Sequence, residues 1–224
     1  MYFYGKKIMD FKGPLLVAYL GGMGGGKTLR LIGLAEKLSR TGHSYKVFMP
    51  GNSRREGLNV EKDAIVSRMG PAVDAIVVDA EDPREILGYV DRGTEVVLID
   101  EAHMFRGLED VLEVLLDKNK VIHVASLTSD YGSVMFSIVG YVLPRAEKVE
   151  LHYGACMENG GCERDGIFSQ AFIGRKLLPY NSTENVKVGD VEGGEGELRY
   201  EPRCIGHFVI PPGAQGYQEP RKKK

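Results

Sequence analysis

Blocks of apolar residues recur along the first 150 positions of this chain, separated by short polar and glycine-rich stretches. Leu15 to Leu20 is a short apolar run with valine and tyrosine, bounded by Pro14 and Gly21, and reads as a buried strand entering a glycine loop. Beyond Thr28, apolar residues at Leu31, Ile32, Leu34, Ala35 and Leu38 recur at helical spacing, and Gly42 supplies a stop. Tyr45 to Met49 and Ala75 to Val78 read as further strands. Asp82, Pro83 and Glu85 carry a cap residue, a first-turn proline and a third-position acid, which predicts a helix to about Asp91. Glu95 to Asp100 is a strand ending in two acids, Leu108 to Leu116 an amphipathic helix, and Lys120 to Leu127 another strand. Strands that are apolar throughout and alternate with helices predict an α/β fold, a parallel sheet covered on both faces.

From about Leu151 the pattern changes. Glycine becomes dense, helical periodicity disappears, and all three cysteines occur beyond residue 155. So little apolar content cannot build a good core alone, and the segment needs a staple. The expected organisation is an α/β domain over 1–150, a small stapled domain over 151–210 and a flexible tail over 211–224.

Composition narrows the partners. A net charge of -2 gives no global case for nucleic acid or an anionic membrane, and the basic run Arg221 to Lys224 reads as a solvated tail. Apolar runs fall short of the ~18 residues that span a bilayer. Met1 to Lys12 lacks the apolar core of a secretory signal, so a cytoplasmic protein is expected. Cysteines in a reducing compartment point to metal more than to disulfides.

Three constellations carry chemistry. Gly21, Gly22, Met23, Gly24, Gly25, Gly26, Lys27 and Thr28 fit the phosphate-loop pattern G-x-x-x-x-G-K-[ST] at every fixed position, between a strand and a helix. Glycines allow consecutive N–H groups to turn toward phosphate oxygens at the positive end of the following helix. Lys27 then neutralises the β- and γ-phosphates and Thr28 helps hold Mg²⁺. Asp100 and Glu101 sit where a strand end delivers a metal-supporting aspartate and a carboxylate able to accept a proton from a hydroxyl. The plainer alternative for that pair is two solvated acids. Cys156, Cys162, Cys204 and His207, as C-x5-C and C-x2-H, suit a tetrahedral structural Zn²⁺, against the alternative of free cysteines and an incidental histidine.

The phosphate loop with methionine at its third position, the Asp-Glu strand end and the C-terminal Cys/His set together resemble the type II, cytosolic-type thymidine kinase family, from about Val17 to Phe208. That family's D-E-x-Q-F stretch corresponds to Asp100 through Phe105, and its L-D-x-x-F segment to Leu127 through Tyr131, with Phe136 matching a second aromatic. Val188, Gly189, Asp190 and Tyr200 match its lasso. The resemblance implies a RecA-like P-loop sheet and phosphate transfer from ATP to a deoxynucleoside 5'-hydroxyl, a step of nucleotide salvage and DNA precursor synthesis. It implies Glu101 as general base, Lys27 on the transferring phosphoryl group, and Mg²⁺ near Thr28 and Asp100. Arg55, with Arg54 as its competitor, falls at a catalytic arginine, and His103 joins the nucleotide side. Met23, Met104, Leu127, Tyr131, Phe136, Val188 and Tyr200 fall on the nucleoside side. It also implies a structural Zn²⁺ that anchors the lasso over the nucleoside, and a homotetramer or homodimer.

The chain departs from that pattern at Ser53 for an aspartate, His103 for the glutamine, Thr128 for the aspartate after Leu127, Arg68 and Met69 for a His-Asp pair and Gly174 for a threonine, and Val191 to Arg199 looks like an insertion. These changes touch nucleoside positioning while leaving Lys27, Thr28, Asp100 and Glu101 in place. Thymidine, deoxyuridine and modified pyrimidines are therefore all open as acceptors. Two other readings stand beside the kinase: a family member with altered catalysis that binds nucleotide, and a RecA-like ATPase acting on nucleic acid. The latter calls for a basic or aromatic nucleic-acid surface, which the sequence does not display.

Overall fold

The computed structural model describes residues 2–3, 6–7, 13–51, 64–67, 70–158, 161–180 and 198–214. They group into two compact units. The first comprises Met1–Gly21, Gly26–Thr128 and Phe136–His152, the second Gly22–Gly25, Ser129–Met135 and Tyr153–Lys224.

In chain order the elements are β1 (Tyr2–Phe3), β2 (Lys6–Lys7), β3 (Leu15–Gly21), α1 (Lys27–Arg40), β4 (Tyr45–Pro50), β5 (Ala64–Val66), β6 (Ala72–Asp74), β7 (Ile76–Val78), α2 (Ile86–Tyr89), β8 (Val96–Ile99), α3 (Leu108–Asp117), β9 (Val121–Leu127), α4 (Ser137–Val142) and β10 (Lys148–His152). The second unit adds β11 (Gly154–Ala155), β12 (Asp165–Gly166), β13 (Phe168–Ile173), β14 (Lys176–Leu177) and β15 (Leu198–Arg203).

Six strands of the first unit form a sheet in the order β10-β3-β9-β8-β4-β7, with every neighbouring pair parallel. Successive residues of a strand point to opposite faces, and the packing follows that rule. Leu16, Ala18, Leu20, Val97, Ile99, Ile122 and Val124 join the core beneath α2, α3 and α4. Val17, Tyr19, Val96, Leu98, Val121 and Ala125 face α1, which contributes Leu31, Leu34, Ala35 and Leu38. This two-sided burial is why the strands read as unbroken apolar runs. Truncating a residue such as Leu34, which is fully buried, to alanine costs about 2–5 kcal/mol.

The strand expectations hold to within one or two residues at each end. α1 stops where Gly42 takes a left-handed conformation, φ 73°. The helix expected over 82–91 is shorter. A single 3-10 turn, Pro83–Glu85, precedes the four-residue α2, and the Asp82 side chain makes no capping hydrogen bond. The carboxylate of Glu85 accepts from the Asp79 N–H at 3.4 Å instead. Ile86, Leu87 and Val90 anchor this segment in the core, and the residues that follow, Asp91 to Thr94, bring no apolar side chain to hold another turn. α4 and β10 lack strong periodic signals, and packing fixes both: Ile138, Val139 and Val142 are buried, and β10 pairs along β3.

In the second unit, β13 pairs antiparallel with β14 and β15, and β11 pairs with β12. The stacked rings of Phe168 and Phe208, 4.5 Å apart, supply apolar contact to this glycine-rich segment.

Candidate active site

Parallel strands deliver their carboxyl ends to one edge of a sheet, the usual place for a ligand crevice in open α/β folds. Gly21 ends β3, Asp100 and Glu101 follow β8, and Leu127 ends β9, the strand between them. The backbone N–H of Thr128 donates to the Gly21 carbonyl at 3.2 Å, fastening the start of the loop to the end of β9.

Lys27 opens α1 and is 8% exposed, with Gly26 as the N-cap at φ 83° and no acid in the helix's first turn. Nothing negative on the helix itself therefore offsets its positive end. The hydroxyl of Thr28 donates to Oδ2 of Asp100 at 3.0 Å, across 72 positions of sequence. Asp100 is buried, and burial, reinforced by Glu101 beside it, pushes its carboxyl well above the ordinary range; Thr28 and Lys27 pull in the other direction. A buried carboxylate only partly compensated, touching a threonine hydroxyl, is a donor set that suits a hard divalent cation.

Glu101 adopts a left-handed backbone, φ 47° and ψ 42°, a conformation that is strained for a residue with a side chain. Its carbonyl accepts from the Met104 N–H at 2.9 Å, closing a short turn. His103 is packed into that turn. Its Nδ1 accepts from the Leu127 N–H at 3.3 Å and lies 3.6 Å from Oε2 of Glu101, and its ring is 4.8 Å from that of Phe136. Burial pulls the imidazole down to about 4, so it is neutral, and with Nδ1 accepting, the proton sits on Nε2.

Met23 belongs to the second unit, where the middle of the phosphate loop meets the β11/β12 ribbon. A side chain at Gly22 would come within 2.4 Å of the Gly166 carbonyl, and one at Gly166 within 2.5 Å of Pro202. Close backbone approach, not phosphate chemistry, accounts for Gly22, a position the loop motif leaves free. The unit also gathers aromatic side chains. Tyr131 lies 5.3 Å from Tyr180 and 6.5 Å from Tyr200, centroid to centroid. Tyr180 carries no motif, and only the tertiary structure reveals it.

Cys156, Cys162, Cys204 and His207 converge, their ligand atoms all within 4.8 Å of one another. Cys162 Sγ is 3.9 Å from Cys204 Sγ, and His207 Nδ1 is 3.4 Å from Cys204 Sγ and 3.6 Å from Cys156 Sγ. Tetrahedral Zn²⁺ with bonds of ~2.3 Å to sulfur places such atoms ~3.5–3.8 Å apart, so the donors fit the ion.

Arg55 and Val188 lie outside the described residues, as do Ser53, Arg54, Arg68 and Met69. Of the other expected site residues, the first unit holds Gly21, Gly26, Lys27, Thr28, Asp100, Glu101, His103, Met104, Leu127 and Phe136. The second holds Gly22 to Gly25, Tyr131, Tyr200 and the Cys/His set.

A sequence profile described as thymidine kinase matches residues 15–208. The chain belongs to the thymidine kinase family. Three similar proteins are named thymidine kinase. That of Coprothermobacter proteolyticus is 34% identical over 149 residues, covering 66% of this chain and 69% of its own. That of Roseiflexus sp. is 29% identical over 188 residues, 82% and 89% of the two chains. The Pyrobaculum aerophilum protein is 28% identical over 202 residues, 88% of this chain and all of its own. Family membership carries the enzyme class: the chain is a phosphotransferase of the thymidine kinase type. Among the described residues, no helix is long and apolar enough to cross a membrane.

Proposed function

We propose that this chain transfers the γ-phosphoryl group of ATP to the 5'-hydroxyl of a deoxynucleoside, with thymidine the leading acceptor. The observation that carries the reading is the Thr28 to Asp100 contact at 3.0 Å, with Glu101 directly following on the same strand end. Lys27 and the loop N–H groups hold the β- and γ-phosphates. Mg²⁺, held by Thr28 and Asp100, supplies charge neutralisation on the phosphates when bound. Glu101 is the base: as the 5'-oxygen bonds to phosphorus and the bond to ADP breaks, its carboxylate takes the hydroxyl proton and then releases it to solvent. The products are a nucleoside 5'-monophosphate, ADP and a proton. The turn built on neutral His103 holds Glu101 in its strained conformation, so the carboxylate is oriented before substrate arrives.

Residues 1–150 carry the nucleotide end in this reading, and 151–210 carry the lasso over the nucleoside, stapled by Zn²⁺ at Cys156, Cys162, Cys204 and His207. Tyr131 and Tyr200 face the nucleoside in this reading, and the resemblance adds Met23, Met104, Leu127, Phe136 and Val188 on the nucleoside side and Arg55 on the phosphoryl side. The working assembly is a homotetramer in the cytoplasm, which light scattering on purified protein tests. The decisive assay gives the protein Mg-ATP and each of the four deoxynucleosides in turn, alongside Glu101→Gln. Thymidine phosphorylation that disappears in the variant is expected. ATP hydrolysis without a phosphorylated nucleoside would overturn the reading.

A further inference from the structure

Residues Ser129–Met135 form a tight loop, closed by a bridge between its two ends. Asp130 shapes it. Its Oδ1 accepts from the N–H groups of Gly132 at 2.8 Å and Val134 at 2.9 Å, and its own N–H donates to the Val134 carbonyl at 2.9 Å. With one carboxylate oxygen committed to the loop, the other reaches outward. Oδ2 accepts from the hydroxyl of Tyr180 at 2.7 Å, fifty positions away.

Tyr180 is itself held from several sides. Its N–H donates to the Pro212 carbonyl at 2.9 Å. Its ring lies over Gly132 so closely that a side chain there would meet ring carbons at 2.4 Å. The neighbouring Pro179 carbonyl accepts from the Tyr131 hydroxyl at 3.4 Å. The hydrogen bond to Asp130 pushes the Tyr180 hydroxyl up to about 12, so it remains a donor through the working range.

What this arrangement positions is Tyr131, clamped between Tyr180 and Tyr200. The Tyr200 hydroxyl is buried and has no hydrogen-bond partner among the described residues. An unsatisfied buried hydroxyl is costly unless a bound molecule completes it. The three rings and this hydroxyl therefore form an aromatic wall with one polar position to fill, suited to a flat heterocycle carrying hydrogen-bonding groups.

We propose that Asp130 and Tyr180 are positioning residues that set Tyr131 for nucleoside binding, through the single bond between the Tyr180 hydroxyl and the Asp130 carboxylate. The assignment rests on the nucleoside kinase reading above. The bond is charge-assisted and lies away from the phosphate loop's lysine and acids in sequence and chemistry. Its loss acts on nucleoside affinity and leaves the phosphoryl-transfer step unchanged.

The test is steady-state kinetics on the full chain with Tyr180→Phe, which deletes one hydroxyl and keeps the ring over Gly132. KM for thymidine is expected to rise roughly tenfold, the size of one lost charge-assisted hydrogen bond, while kcat and KM for ATP stay within about twofold. Asp130→Asn has one side-chain oxygen, which the Gly132 and Val134 N–H groups hold, so its amide NH2 faces the Tyr180 hydroxyl and can only donate. The charge-assisted bond is lost, and the same KM is expected to rise by up to the factor seen in Tyr180→Phe. A Tyr180→Phe enzyme with unchanged KM for thymidine overturns the proposal. So does one in which kcat, both KM values and the melting temperature deteriorate together, the signature of general destabilisation. Titration calorimetry with thymidine separates the two levels of inference: a wild-type protein that neither binds nor phosphorylates any nucleoside sinks the kinase reading and this one with it, whereas an active wild type with an unaffected variant sinks this one alone.

Discussion

The phosphate-handling end of the first unit and the metal-and-aromatic assembly of the second achieve order by opposite means. In the first unit, Lys27 and Thr28 open α1, the helix packed on the sheet, and Asp100 and Glu101 follow β8, one of the strands locked into a sheet whose two faces are covered by apolar side chains. Their positions follow from the strands, and the strands follow from burial. The second unit has few such runs. Its order comes from point contacts between remote segments: four ligand atoms within 4.8 Å, the Tyr180–Asp130 bond and glycine backbones packed against carbonyls. A sheet-anchored site tolerates loss of any one contact in its surroundings, whereas a site built on point contacts does not.

The largest expected effect lies at the sheet edge and is chemical. Glu101→Gln should lower kcat by about 10³-fold, and Lys27→Ala by a comparable factor, with melting curves nearly superimposable on wild type. A large stability loss in either variant would mean that the sheet does not anchor the site as described. Next comes the metal cluster, where the effect should be structural. Cys204→Ser, or chelation of the wild type, should take bound zinc from about one per chain to none and lower the melting temperature by roughly 10 °C. A stable protein with no zinc by metal analysis would remove the staple from the account.

Gly22→Ala probes the close approach of the loop to the Gly166 carbonyl. Overpacking against a carbonyl at 2.4 Å should cost about 1–3 kcal/mol in denaturant unfolding and weaken ADP binding, because Gly22 is part of the phosphate loop. Unaltered ADP affinity would separate the ribbon from the loop's function.

The last effect, on stability and not on activity, returns to the first unit's core. His123 is hydrogen-bonded to the Tyr19 hydroxyl at 2.9 Å, and burial pulls its imidazole down to about 3. The unfolded chain takes up a proton near the ordinary histidine value of about 6.5, which the folded chain refuses. The stability contributed by neutral His123 is thus full above that pH and is lost as pH falls toward 3, at about 1.4 kcal/mol per pH unit. His123→Gln removes this titration, so between pH 6 and pH 4 its unfolding free energy should fall less steeply than that of wild type by about that slope. Parallel pH profiles would show that His123 is protonated in the fold.

Much of the first unit was legible because its signals are local. The eight residues Gly21 to Thr28 are consecutive, and their chemistry is carried by backbone N–H groups that any strand-loop-helix of that spacing presents. Val97-Leu98-Ile99-Asp100-Glu101 likewise states its own role, an apolar strand that ends in acids. The cysteine and histidine spacing pointed to a metal even where no secondary structure could be read. Less legible were α4 and β10, whose residues carry no clear period and become ordered only against α3 and β3. The overlong helix placed at 82–91 shows the same limit, since cap residues mark a beginning and packing decides the length. His103 is a further case: as a letter it is only a departure from a glutamine, and burial makes it neutral, with its proton fixed by the Leu127 N–H.

The sequence alone determined the α/β sheet, the phosphate loop, the acidic strand end, the metal-ligand set and, through their combination, the thymidine kinase family. Each depends on neighbouring residues or on residue types that chemistry makes scarce. Only the tertiary structure decided that Thr28 meets Asp100, that Gly22 lies against the Gly166 carbonyl, and that the Tyr180 hydroxyl meets the Asp130 carboxylate. Those contacts link positions from 50 to 144 residues apart. Nothing in the local pattern of either partner encodes the other, because closing such loops is driven by the burial of the whole core and not by the residues that happen to meet.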